Sequence, residues 1–196
     1  WTRELGKVRV LAKGGRRLKS NFEVALDLLT VCGIVLLRKS SGGLDLLTEA
    51  IVLERFNGLR TNLKALNAGY YIAELLGDGT QDYDPHPKLF DSSIETLRKL
   101  SAGGEASALV ASYELEWLTE IGLKPLLDRC ANCGTIRLEG YVSMSPMAGG
   151  VICEACETTI DVGRELNRYA ALVLDDGGDL TAQDIADLLA FLKGAH

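Results

Sequence analysis

Four of the five cysteines stand in two close pairs, Cys130-Ala131-Asn132-Cys133 and Cys153-Glu154-Ala155-Cys156, with 19 residues between the pairs. A Cys-x-x-Cys turn points two sulfurs at one ion while its backbone amides stabilise the thiolates. Two such turns at this separation carry the spacing of a zinc site. Four sulfurs complete a tetrahedral shell and leave no position for a substrate water, so the expected cofactor is one structural Zn2+. Gly134 supports a tight turn after the first pair, and Gly149-Gly150 leads into the second. A redox role for either pair would make the ribbon spacing a coincidence. Cys32 lies inside an apolar run and reads as a small core residue.

The second group with chemical potential is basic. Residues 1–21 hold seven cations (Arg3, Lys7, Arg9, Lys13, Arg16, Arg17 and Lys19) against one anion, Glu4. The remainder holds 14 cations and 26 anions, so a local balance of +6 precedes one of −12. Such asymmetry suits a polyanion site on an acidic body, although a charge run is also a common solvated face. Within Lys7–Lys13, Val8 and Val10 alternate with Lys7 and Arg9, which puts apolar and basic side chains on opposite faces of a strand. Lys13-Gly14-Gly15-Arg16-Arg17 then forms a basic turn. Oligonucleotide-binding folds track a phosphate backbone with strands and loops of this kind. With few aromatic residues nearby, binding would rest on electrostatics and depend steeply on salt.

Enzymatic motifs are lacking. There is no GxSxG, HExxH or P-loop, and one of the two histidines is the last residue. Asp175-Asp176-Gly177-Gly178-Asp179 lacks the acidic spacing of a calcium loop and reads as a polar turn. No apolar run approaches the roughly 18 residues of a membrane span. The N-terminus does not resemble a signal peptide, and cysteine usage suits a reducing cytoplasm. Trp1 is not an initiator, so the sequence is expected to be a fragment.

The elements that would position these groups change period near residue 56. Lys7–Lys13, Phe22–Leu28 and Val31–Leu37 are strand candidates, with Ser40-Ser41-Gly42-Gly43 as a turn, and Leu44–Leu53 reads equally as a last strand or as the entry to the helical part. From Asn57, the series Leu59, Leu63, Leu66, Tyr70, Ala73 and Leu76 predicts the buried face of a helix ending at Gly77-Asp78-Gly79. Leu89, Phe90, Ile94, Leu97 and Leu100 mark a second helix. Leu109, Val110, Tyr113, Trp117, Leu118 and Ile121 mark a third. His86 falls in a proline-containing loop. Ile136–Ser143 and Val151-Ile152 are expected to be ribbon strands. Leu166–Leu174 and Ile185–Leu192 are expected to be short helices, the latter capped by Thr181.

Taken together, Val10-Leu-Ala-Lys-Gly-Gly-Arg-Arg-Leu-Lys-Ser20, Leu118-Thr-Glu-Ile-Gly-Leu-Lys-Pro125, Cys130-Ala-Asn-Cys-Gly134 and Gly149-Gly-Val-Ile-Cys153 resemble the RecO family of DNA repair proteins, as does the helix with Tyr70, Tyr71 and Glu74-Leu75. The likeness runs from about residue 3 to residue 174. It implies an α+β fold: an N-terminal OB-fold-like β-barrel over 1–55, lacking its first strand here, then an α-helical domain over 56–196 with an inserted four-cysteine zinc ribbon at about 128–160. The C-terminal helix is short by comparison. The resemblance further implies a non-enzymatic recombination mediator of the bacterial cytoplasm and nucleoid. It would bind and anneal single- and double-stranded DNA and load RecA together with RecR and single-stranded DNA-binding protein. Basic residues carry over at Lys13, Arg16, Arg17 and Lys19, while Lys7 and Arg9 come from the strand alternation. The rival expectations are a zinc-ribbon protein-interaction adaptor and an RNA-binding protein.

Overall fold

A computed structural model describes residues 1–13, 22, 25–39, 44–136, 138, 142–145 and 147–157. The chain is mixed α+β and divides into two compact units, Trp1–Ala106 and Ser107–His196.

The first unit opens with a three-stranded sheet of β1 (Val10–Ala12), β2 (Thr30–Leu37) and β3 (Asp45–Arg55), in the order β1-β3-β2. β2 and β3 are antiparallel, with Cys32 opposite Val52 and register shifts at Val31/Cys32 and Val35/Leu36. β1 runs parallel to β3 and pairs only Val10, Leu11 and Ala12 with Asp45, Leu46 and Leu47. The expected barrel is therefore not found: among the described residues the sheet is open. Lys7–Lys13 is also less regular than its alternation predicts. Its strand is confined to Val10–Ala12, and Lys7 makes an isolated bridge to Asp82. Phe22 and residues 25–28 are turns rather than a strand, with the Leu26 amide donating to the Phe22 carbonyl and Leu29 at φ +54°.

Among the described residues the unit also contains three helices: α1 (Asn57–Thr61), α2 (Leu63–Asp78) and α3 (Pro87–Ser101). Asn62 breaks the first two apart. Its backbone is extended at φ −132° and its side chain accepts from the Ala65 amide, which caps α2. The break resets the helical phase, so the predicted buried face is misplaced. Ala65, Ala68, Gly69 and Ile72 are buried in α2, whereas Leu63 is 72% and Tyr70 43% exposed. A Cβ on Gly69 would crowd Leu29, Leu59 and Leu97, so the missing side chain lets these groups approach the helix. Gly58 of α1 lies against the end of α3, where its amide donates to Ser101 Oγ at 3.0 Å. As predicted, α2 ends beside Gly79, and Leu89, Leu97 and Leu100 are buried in α3.

Polar ties connect this sheet to the helices and their loop. Arg98 of α3 holds Glu54 of β3 through two guanidinium nitrogens, with contacts of 2.7–3.2 Å. Buried Asp45 accepts from the Tyr83 hydroxyl at 2.7 Å and the Lys39 amide at 3.0 Å. Tyr83 is at φ +61°, and the Arg38 guanidinium lies 5.1 Å from its ring centroid. The Tyr83 hydrogen bond, then the Lys39 amide, hold the Asp45 carboxyl below its ordinary range.

The second unit contains α4 (Ala106–Glu120) from its second residue onward, β4 (Val142–Ser145), β5 (Gly150–Cys153) and the short α5 (Glu154–Glu157). Tyr113 and Leu118 are buried on α4, as the periodicity predicts. β4 and β5 form an antiparallel pair with Val142 opposite Cys153. The hairpin begins later than Ile136, which sits at a bend and is exposed. The two helices predicted within 166–192 lie outside the described residues.

Candidate metal centre

Backbone hydrogen bonds build the first cysteine turn. The Cys130 amide donates to the Thr135 carbonyl and the Gly134 amide to the Cys130 carbonyl, both at 2.9 Å. Gly134 closes the turn at φ +75°, a conformation that disfavours any residue with a Cβ. The Ala131 amide then donates to the Val151 carbonyl at 2.7 Å and fastens the turn to β5. A second fastening lies just before it, where the Leu126 amide donates to the Gly149 carbonyl and the Val151 amide to the Leu126 carbonyl. Gly150 permits this approach, since a Cβ there would overlap the Leu126 carbonyl oxygen.

The second pair straddles a change of structure. Cys153 ends β5 and Cys156 lies in α5, so one pair of sulfurs comes from a strand end and the following helical turn. Ser143 of β4 donates to Glu157 at 2.7 Å and holds α5 to the hairpin. Cys130 and Cys156 are buried in a small cluster with Ile152, bordered by Ala131, Leu138, Ala148 and Cys153. Cys133 is exposed.

All four Sγ atoms lie within 4.8 Å of one another, and those of Cys133 and Cys153 are 3.7 Å apart. A tetrahedral ion with metal–sulfur bonds of about 2.3 Å sets its sulfurs about 3.8 Å apart. The four cysteines can hold a metal ion, with no open position for catalysis. Electrostatics support ligation at Cys130. Burial opposes its ionisation, but amide donors from Cys133, Cys153 and Asn132 prevail and bring the thiol down to about 6. The Cys153 amide is 3.4 Å from its sulfur. At Cys153 itself, burial and hydrogen bonds with the neighbouring thiols push the group up to about 12 in the absence of an ion. A bound cation reverses that balance by favouring thiolate at every ligand.

The predicted DNA-contacting residues are placed differently. Lys7 Nζ donates to the Gly77 carbonyl at 2.5 Å and lies 3.8 Å from Asp82. Arg9 Nε lies 3.0 Å from the same carboxylate, yet the side chain stays 72% exposed. Lys13 is exposed at the end of β1. Arg16, Arg17 and Lys19 lie outside the described residues. Sequence reasoning missed Asp82 as the group on which Lys7 and Arg9 converge, because their separation of over 70 positions has no local signal. It also missed Glu157 and the Leu126 fastening. The proximity of Glu157 to the cysteine pair was its only available clue.

Among the described residues, no helix is long and apolar enough to cross a membrane. A family model described as Recombination protein O N terminal matches residues 1–56, and one described as Recombination protein O C terminal matches residues 60–175. The chain is 41% identical over 157 residues to the DNA repair protein RecO of Rhodopirellula baltica, covering 79% of this chain and 58% of the relative. It is 34% identical to that of a Roseiflexus species, with 78% and 53% covered, and 30% identical to that of Listeria monocytogenes serotype 4b, with 80% and 60% covered. The chain thus spans little more than half the length of these bacterial relatives. Matches to the N-terminal and C-terminal models of Recombination protein O, together covering most of this chain, establish that it belongs to the RecO family.

Proposed function

We propose that this chain is a non-enzymatic mediator of DNA repair and homologous recombination that binds and anneals single- and double-stranded DNA. It would help load RecA onto single strands together with RecR and single-stranded DNA-binding protein, in the bacterial cytoplasm and nucleoid. The observation that carries this reading is the family match across both the N-terminal and C-terminal parts. Residues 1–55 supply the OB-fold-like part of the DNA site, with Lys7, Arg9, Lys13, Arg16, Arg17 and Lys19 as phosphate contacts. Residues 56–196 supply the helical domain.

The metal is one Zn2+ held by Cys130, Cys133, Cys153 and Cys156. An all-sulfur tetrahedral set favours this ion, and its closed shell gives it a structural role. The 3.7 Å spacing of Cys133 and Cys153 supports that assignment.

The DNA site is tested by titrating single-stranded DNA at several salt concentrations. Each phosphate contact contributes about 0.7 to the slope of log affinity against log salt. Arg16→Ala with Arg17→Ala is therefore expected to lower the slope by about 1.4 and weaken all sequences similarly. An unchanged slope refutes this assignment. The adaptor reading draws support from Asp82, which neutralises part of the charge of Lys7 and Arg9. It predicts no DNA binding even at low salt and retention of a protein partner after nuclease treatment.

A further inference from the structure

We propose that the cysteine site is also a peroxide-sensitive release switch, in which Cys133 and Cys153 join across the two pairs and expel the ion. The inference rests on the zinc reading above. Its basis is the unequal setting of four chemically identical ligands. Cys130 is 1% exposed and packs with Cys156 and Ile152, so two sulfurs are sheltered within the small core. Cys133 is exposed and is the sulfur that an oxidant reaches from solvent. Its neighbour Cys153 is half-buried and 3.7 Å away, and belongs to the other pair.

A disulfide bond is about 2.0 Å long, so this pair closes by about 1.7 Å. Joining Cys133 to Cys130 instead would draw a buried sulfur from its cluster and disturb the contact from the Cys153 amide. All four sulfurs lie within 4.8 Å of one another, so burial rather than distance favours the cross-pair bond: it joins the two less buried sulfurs and leaves the two buried ones in place.

The chemistry needs hydrogen peroxide as oxidant. The Cys133 thiolate attacks one peroxide oxygen; the O–O bond breaks, hydroxide leaves, and Cys133 becomes a sulfenic acid. The Cys153 thiolate then attacks the Cys133 sulfur; the S–O bond breaks, a second hydroxide leaves, and the S–S bond forms. Two thiolates have lost two electrons, and two solvent protons convert the hydroxides to water. Cys130 and Cys156 remain as two sulfur ligands, too few to retain the ion, which leaves as aqueous Zn2+.

The test uses the reduced, zinc-loaded full chain treated with hydrogen peroxide. A chromophoric chelator reports released zinc, and fragmentation of the linked peptides identifies the disulfide. The expected result is release of about one zinc per chain with a Cys133–Cys153 link, reversed by a thiol reductant and added zinc. Cys32→Ser is expected to behave identically, which separates the switch from the remaining cysteine. Zinc retained after oxidation overturns the inference but leaves the zinc reading standing, as does release with a Cys130–Cys133 link. A reduced chain that binds no zinc overturns both.

Discussion

The helical part of the first unit and the cysteine module of the second reach order by different routes. In the former, Leu59, Ile72, Leu89 and Leu100 are almost wholly buried, spread over three helices. In the latter, the buried cluster around the sulfurs contains Cys130, Ile152 and Cys156, supported by two four-residue strands and one helical turn. The hairpin also buries Val142, Met144 and Val151, but the cluster that touches the sulfurs is small, and structural metals commonly add stability to modules of this size. The long helices bury apolar volume, whereas the short elements gather four sulfurs that can hold a metal ion.

Metal removal is expected to separate the two most strongly. Chelation of the zinc-loaded chain should accelerate hydrogen exchange at Val151 and Ile152 by about 100-fold or more, equivalent to ~2.7 kcal/mol. Amides at Ile72 and Leu97 should keep their protection. Equal acceleration at both places, measured by exchange and mass spectrometry, would break the contrast.

The converse change lies at Gly58. A Cβ there would overlap the backbone carbonyl oxygen of Ser101, and no side-chain rotation relieves that contact. Gly58→Ala should destabilise the helical part by about 3–5 kcal/mol, seen as an earlier thermal transition. Zinc content below that transition should not change. Loss of zinc alongside helicity would mean that the two regions order together.

The smallest effect sharpens the comparison by pH. Asp45 has its folded pKa lowered by Tyr83 and Lys39, so its contribution to stability is present above about 3.9, the unfolded value. That contribution is lost as pH falls through the lower folded value. Tyr83→Phe removes the largest cause of the shift, so acid unfolding followed by circular dichroism should begin at a higher pH. The loss in melting temperature should be largest near neutral pH, at about a few degrees, and should vanish as pH falls below the folded value.

Features carried by local chemistry were legible in the sequence. Four cysteines at ribbon spacing name their own partners, because each Cys-x-x-Cys turn forms within a few residues. The strand at 30–37 is visible as a β-branched run between turn residues, whereas periodicity alone leaves Leu44–Leu53 open between strand and helix entry, and the structure makes it β3. What remained hidden depended on a single residue or on distant partners. Asn62 shifts the phase of α2, and the true buried face uses Ala65, Ala68 and Gly69, whose small size weakens any hydrophobic pattern. Phe22–Leu28 has the composition of a strand, yet the Leu26–Phe22 hydrogen bond and Leu29 at positive φ belong to turns. The barrel came from family likeness, and the open sheet among the described residues does not complete it. The pairings of Asp45 with Tyr83 and of Arg9 with Asp82 span 38 and 73 positions and leave no periodic trace.

The backbone fastening of Leu126 to Gly149 and Val151 has a consequence for how the cysteine ring closes. Bringing two distant pairs together costs chain entropy that grows only slowly with length, by about 0.6 kcal/mol for each doubling. These two hydrogen bonds, with that of Ala131 to Val151, meet part of the cost from outside the coordination shell. A metal ion would therefore meet ligands partly preassembled, and inserted residues between positions 134 and 142 should be tolerated far better than a side chain at Gly150. The sulfurs choose the ion; a glycine with no room for a methyl group decides whether they meet.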